Sequence, residues 1–431
     1  MLRTLLLLLI WLPLSVQAQI SSKQLDSLAS ATQPQVVEWR RWFHENPELS
    51  NREFNTSARV AEILTEMGLE PQTGIAHTGV VAIIEGGKPG PLVAIRADMD
   101  GLPVTEETGL PFASQVLGEY NGQEVGVMHA CGHDSHMAMA LGAASVLNSV
   151  KEDLPGSVMV IFQPAEESAP VGEEGGAELM LKEGLFEPRI PEAIFGIHVG
   201  IGQPGGKIAV RAGPQLAAVD SFNLVVHGKQ THGARPWDGI DPIVVAAQIV
   251  LGLQTVASRQ VDVTQAPSIV TVGRIAGGVR NNVIPDSVEM EGTIRTFDAA
   301  MREQIHMRIE RTARMIAESA GASIEFKLRY GYPATINNPE LTVRMMPTLQ
   351  RVGGEGGVVS VQPQTIAEDF SYFANETPGL YLFIGNGKPG LDPQTLTSNH
   401  SPLFDMYEPS MELGVRAFSH LVVDYLQEEA R

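Results

Sequence analysis

The chemistry of this chain gathers around one thiol. Cys131 is the only cysteine, and in the run His129-Ala130-Cys131-Gly132-His133-Asp134 one residue separates it from a histidine on either side. No disulfide partner exists within the chain, and a thiolate beside an imidazole at this spacing suits a divalent metal. Further groups could complete a site: the adjacent carboxylates Glu166 and Glu167, then His198 and His400. Neighbouring carboxylates that follow an apolar run are costly unless a cation lies close by. Cys131, His133, one carboxylate of the pair, His198 and His400 make five protein ligands. That exceeds one tetrahedral zinc and suits two ions that share a bridging ligand and a water. The second carboxylate is then free to be a general base, passing a proton from that water to a leaving amine.

The elements that must position these groups can be read from short apolar runs. Leu92 to Ile95 leads into Arg96-Ala97-Asp98-Met99-Asp100, Val158 to Phe162 into Gln163-Pro164-Ala165-Glu166-Glu167, and Ala193 to Ile197 into His198. These read as buried strands, with helices such as Ser135 to Val150 and Gly176 to Leu185 between them. An α/β sheet follows, and its ligands belong beyond the carboxyl ends of the strands, where the polar residues fall. A helix from about Lys23 to Phe43 comes earlier, kinked or split at Pro34.

From about Ala212 to Tyr330 the order changes. Strand Ser221 to His227, helix Asp241 to Ala257, strands Ser268 to Ile275 and Ser287 to Phe297, helix Ala299 to Ser319 and strand Ser323 to Leu328 spell the ferredoxin-like β-α-β-β-α-β order. Alternation then resumes with a helix near Glu340 to Arg351, a strand at Leu380 to Ile384 and a closing helix near Glu408 to Glu428. The expected division is 1–18 as a leader, 19–211 and 331–431 as two parts of one catalytic domain, and 212–330 as an insertion.

Residues 1–18 carry Arg3, an apolar core from Leu5 to Leu14 and Val16-Gln17-Ala18 as a cleavage site, the pattern of a signal peptide. A periplasmic or secreted enzyme is expected. No later stretch approaches the length of a transmembrane helix, so no membrane partner is expected. The 431 residues carry a formal charge of −20 without long runs of one sign, which argues against nucleic acid and anionic membrane.

The runs H-E-N-P-E-L-S (44–50), R-A-D-M-D-G-L-P (96–103), H-A-C-G-H-D (129–134), F-Q-P-A-E-E (162–167), G-I-H (196–198), N-V-I-P (282–285), E-D-F (368–370) and N-H-S-P (399–402) resemble the di-metal metallopeptidase family of aminoacylases and carboxypeptidases. They are most similar to its amidohydrolase branch, with hippurate hydrolase, N-acyl-amino-acid amidohydrolases and auxin-conjugate hydrolases. The resemblance implies a zinc-peptidase-like α/β catalytic domain with an inserted ferredoxin-like α+β lid that dimerises. It also implies Cys131, His133, Glu167, His198 and His400 as ligands, Cys131 as the bridge and Glu166 as the general base. Asp98 and Asp100 become supporting residues behind the ligands. In the lid, His232 resembles a residue that reaches across a dimer to the oxyanion, and Asn282 a substrate contact. The segment from Ser168 to Gly176 is longer and more acidic than is usual in that branch, and Ile366-Ala367 stands where glycines are common.

The leading expectation is hydrolysis of the amide of an N-acyl amino acid or short peptide with two divalent ions, zinc first and manganese, cobalt or nickel as alternatives. A carboxypeptidase or dipeptidase could use the same water attack. Cys131 could instead be a nucleophile with His129 or His133 as base. A metal-dependent amino-acid-binding protein is the non-enzymatic alternative.

Overall fold

The computed structural model describes residues 19–431 except 188 and 201, so the signal-peptide reading of residues 1–18 falls outside the described residues. An eight-stranded mixed sheet runs in the spatial order 72–75, 79–84, 155–163, 88–98, 193–199, 379–384, 208–210 and 358–360. Its centre is parallel, Lys88–Asp98 pairing with both Pro155–Gln163 and Ala193–Val199, and the latter with Gly379–Ile384. The central strands are buried on both faces, which is why they read as continuous apolar runs rather than as alternation.

Helices Ser22–Glu45, His133–Ser149 and Met411–Glu429 cover one face and share a single apolar core with it. Gly176–Lys182 and Phe370–Glu376 help to close a smaller core on the other. The first helix continues through Pro34 without interruption, contrary to the expected split. Its buried stripe of Leu25, Ala29, Val36, Trp39 and Phe43 packs on the neighbouring helices, and that packing outweighs the one backbone hydrogen bond proline removes.

Residues 218–330 form a separate four-stranded antiparallel sheet with its own core, ordered Ser268–Ala276, Ser287–Thr296, Ala218–His227, Ser323–Tyr330. Numbered along the segment this is 2-3-1-4, the ferredoxin-like arrangement. Its helices are Pro242–Thr255, capped by the Asp241 carboxylate, and Ala299–Ser319, capped by Asp298. By composition, Pro242–Gln260 is long and apolar enough to cross a membrane, which the sequence reading had not allowed. In the fold, Val245, Ala246, Ile249 and Leu253 of this stretch are spent on the core of the small sheet.

Beneath the large domain's surface a charged network ties distant segments together. Arg40, fully buried, donates to Asp134 at 2.7 Å and to Asp405 at 2.9 Å, while His44 meets Asp134 at 2.8 Å and Glu106 at 3.1 Å. Burial opposes charge on His44, but its hydrogen bonds to Asp134 and Glu106 outweigh it and raise its pKa to about 9. A raised histidine pKa contributes stability in full below its unfolded value, and the contribution is lost as pH climbs through the folded one. Urea midpoints of the protein are therefore expected to fall between about pH 6.5 and pH 9, and His44→Gln should flatten that slope. An equal slope in both proteins would remove His44 as its source.

Candidate metal centre and active site

The polar ends of the three central strands meet where the strands stop. Asp98 closes its strand, the Glu166-Glu167 pair follows Gln163, and His198 is the penultimate residue of its own. Cys131 and His133 arrive on the turn that starts helix His133–Ser149. Gly132 caps that helix at φ +94°, and a Cβ there would lie 2.3 Å from Val199 Cγ2. Only glycine lets the turn lie this close to the strand bearing His198. Ala165, Ser168 and His400 also hold positive φ, at 52°, 89° and 67°, so backbone strain flanks the carboxylate pair and the histidine loop.

The structure brings all five expected ligands and Glu166 together. Donor atoms of Cys131, His133 and His198 lie within 4.8 Å of one another, and so do those of Cys131, Glu167 and His400, so the thiol is common to both clusters. A third set joins His133, Glu166 and Glu167. Cys131 Sγ is 3.3 Å from His198 Nε2, and His400 Nε2 is 3.0 Å from Glu167 Oε1. The first cluster is buried, whereas His400 is exposed on its loop.

Hydrogen bonds fix which nitrogens face the centre. His133 Nδ1 donates to the Asp100 carbonyl at 2.8 Å and His198 Nδ1 to the Val199 carbonyl at 2.7 Å, turning both Nε2 atoms inward. His133 Nε2 is buried without any hydrogen-bond partner. An orphaned imidazole nitrogen among carboxylates and a thiol is what a bound cation would satisfy, so the residues present fit two divalent ions. The Asp100 carboxylate accepts the backbone N–H groups of Glu166 and Glu167, each at 3.0 Å, and thereby sets the pair. His136, which the sequence reading missed, donates Nδ1–H to Asp98 at 2.5 Å and accepts Val199 N–H at 2.8 Å, fixing the strand end next to His198.

Electrostatics call for positive charge here. Burial works against a proton on His133, yet Asp98 and Asp100 outweigh it and lift its pKa to about 10. Burial, then Glu368 and Glu167, push Glu166 well above the usual carboxylate range. Burial and Glu167 push the Cys131 thiol up. A thiolate at this place therefore needs a cation beside it, and the donor atoms of two clusters lie within reach. Arg96, fully buried, holds Asp98 at 2.6 Å, with Glu368 and Asp369 each at 2.9 Å.

A cavity of about 500 Å³ opens over the cluster. Cys131, Glu166, Glu167, His198 and His400 line it together with Arg295 and Tyr332, which sequence reasoning did not single out. Tyr332 donates to the Glu166 carbonyl at 2.7 Å. Arg295 is half-buried with no ion-pair partner among the described residues, and burial pulls its pKa down. Their signal lay in the strand Ser287–Thr296 and in the chain's return from residue 330, but nothing local marks either as facing a site. His232 and Asn282 adjoin each other, Gly233 N donating to the Asn282 carbonyl at 2.8 Å, and both are exposed. Within one chain neither lines the cavity.

A family model, Peptidase family M20/M25/M40, matches residues 94–424. The chain belongs to this peptidase family. It is an enzyme that acts on amide bonds. Among curated proteins it is 41% identical over 394 residues to thermostable carboxypeptidase 1 of Saccharolobus solfataricus, covering 90% of this chain and 95% of that one. It is 39% identical over 321 residues to the N-acyl-L-amino acid amidohydrolase of Geobacillus stearothermophilus, covering 74% and 83%. Among solved structures, the Bacillus subtilis YXEP protein, described as a dinuclear metal binding peptidase of the M20 family, superposes with a TM-score of 0.78 at 35% identity, covering 92% of this chain and 99% of that one.

Proposed function

We propose that this protein hydrolyses the amide bond of N-acyl amino acids with two divalent metal ions, held by Cys131, His133 and His198 on one side and by Cys131, Glu167 and His400 on the other. The observation that carries this is the pair of donor clusters sharing one buried thiol. The amidohydrolase from Geobacillus and the dinuclear relative from Bacillus support it. When bound, the ions lower the pKa of a water and polarise the amide carbonyl. Thiolate and imidazole donors suit zinc, with manganese, cobalt and nickel as alternatives.

Glu166 does the proton work. Its side chain lies beside the ligand set and against the cavity, where burial and neighbouring carboxylates favour its protonated form and bound cations would keep it ionised. It takes a proton from water and delivers it to the leaving amine. Arg295, an unpaired guanidinium in the cavity wall, receives the free carboxylate of the amino acid. A dipeptide or carboxypeptidase substrate presents the same carboxylate, and the Saccharolobus relative favours that second reading. Cleavage rates on a panel of N-acyl amino acids, dipeptides and C-terminal peptides by metal-loaded enzyme separate the two. Residues 1–18 place the enzyme outside the cytoplasm in this proposal, and a secreted form beginning at Gln19 tests it.

The tetrahedral intermediate calls for a donor aimed at its oxyanion. His232, beside Asn282, is the candidate if a second copy supplies it. Ser268–Ala276 is an edge strand of the small sheet, with no strand on its outer side among the described residues, and the helix Pro242–Thr255 exposes Val244 and Leu251, a surface suited to a homodimer.

Glu166→Gln is expected to keep its metal, measured by elemental analysis, and to lose about 10²–10⁴ in kcat; turnover near the parent rate would place the base elsewhere. Arg295→Met should raise KM for N-acetyl amino acids by more than it lowers kcat, and an unchanged KM would remove it as the carboxylate anchor. Mixing Glu166→Gln with His232→Ala protein should restore part of the activity through hybrid dimers that hold one intact composite site. Full activity in His232→Ala alone would end that proposal.

A further inference from the structure

A second cavity adjoins the metal centre on a side that the small sheet does not reach. It has a volume of about 290 Å³, and Leu49, Leu102, Pro103, Tyr120 and Pro170 give it apolar walls. Glu167 and Ser168 line it as well as the larger cavity, so the two spaces flank the same carboxylate. No residue of 212–330 contributes to it, whereas Arg295 in the larger cavity comes from that segment.

Two irregular segments build this space. The hairpin Leu117–Tyr120 and Gln123–Gly126 turns on Asn121 and Gly122 at φ 53° and 75°, the turn type that Asn-Gly favours, and it carries Tyr120 to the cavity wall. The other wall begins the 168–176 stretch, the acidic segment whose length departs from the resemblance drawn from sequence. Glu173 in that stretch binds Arg52 at 2.6 Å, so the one cation among the described residues lining the cavity is already paired. Glu119 adds a further negative charge to the lining.

An amide held at the donor clusters sends its two substituents in different directions. With the amino-acid carboxylate turned to Arg295 in the larger cavity, the smaller cavity beyond Glu167 and Ser168 is open to the acyl chain. We infer that this second cavity is the acyl subsite and that it selects a neutral, apolar acyl group of benzoyl or octanoyl size. The inference rests on the N-acyl amino acid reading above. At about 30 Å³ for each water-sized atom the volume holds about ten heavy atoms, so an acetyl group leaves most of the wall uncovered. A dicarboxylic acyl group such as succinyl would bring its second carboxylate towards Glu119, with Arg52 already paired to Glu173.

The test uses the metal-loaded full-length enzyme and the N-acetyl, N-octanoyl, N-benzoyl and N-succinyl derivatives of one amino acid. Octanoyl and benzoyl substrates should exceed acetyl in kcat/KM by about tenfold or more, since each apolar contact adds discrimination of this order, and succinyl should be slowest. Tyr120 is 45% exposed on its hairpin, so its truncation has little to do with folding. Tyr120→Ala should lower the benzoyl-to-acetyl ratio about tenfold, and Glu119→Lys should raise the succinyl-to-acetyl ratio. Equal rates along the acyl series, or an unchanged ratio in Tyr120→Ala, would overturn the subsite and leave amide hydrolysis standing. Failure of the parent enzyme on every N-acyl derivative, with dipeptides cleaved, would instead overturn the reading beneath it.

Discussion

Crowded negative charge in a dry place is the constraint on which this structure turns. Asp98, Asp100, Glu166, Glu368 and Asp369 are all buried around the ends of the central strands. Carboxylates at such density cannot all ionise without compensation. Arg96 supplies part of it from below, holding three of them, and His136 and His133 supply more from helix His133–Ser149. What remains uncompensated lies on the cavity side, where Glu166, Glu167 and the buried thiol face one another. That residual demand for cations marks the site as a metal centre rather than a solvated acidic loop.

The rest of the large domain can be understood as holding that charge in place. Parallel strands deliver three polar ends to one line, and the tight turn at Gly132 presses the thiol and its neighbouring histidine against the strand that bears His198. Asp100 organises the carboxylate pair through backbone N–H groups, so a single side chain sets both the base and its ligand neighbour. The charged network of Arg40, His44, Asp134 and Asp405 then ties the helix behind the turn to the loop that follows His400. Strain at Ala165, Ser168 and His400 is tolerated because these contacts over-determine the local backbone.

The small sheet has a different duty. It brings Arg295 and, through the returning chain, Tyr332 to a cavity whose floor belongs entirely to the other domain. The cavity wall is thus divided: the candidate ligands and Glu166 stand at the ends of the large sheet, while Arg295 comes from a module with its own core. His232 and Asn282 lie side by side on two paired segments of that module, and neither lines the cavity of its own chain.

The sequence alone picked out the residues that the structure gathers at one site and the order of the elements, because these signals are local. Cys131 and His133 share one turn, Glu166 and Glu167 are adjacent, and His198 ends an apolar run, so residue type and strand periodicity suffice to mark them as candidates, while the division of roles within the glutamate pair came from the family resemblance. The ferredoxin-like segment was legible for the same reason, its amphipathic alternation and capped helices being written residue by residue. The continuity of the first helix through Pro34 was not, since burial against other helices overrides a local breaker. Arg96 clamping Glu368 and Asp369, His136 bracing Asp98 and Val199, and Arg295 facing the metal cluster join residues far apart in the chain. No local pattern encodes such pairs; only the closing of the sheet and the docking of the inserted module bring their charges within reach of one another.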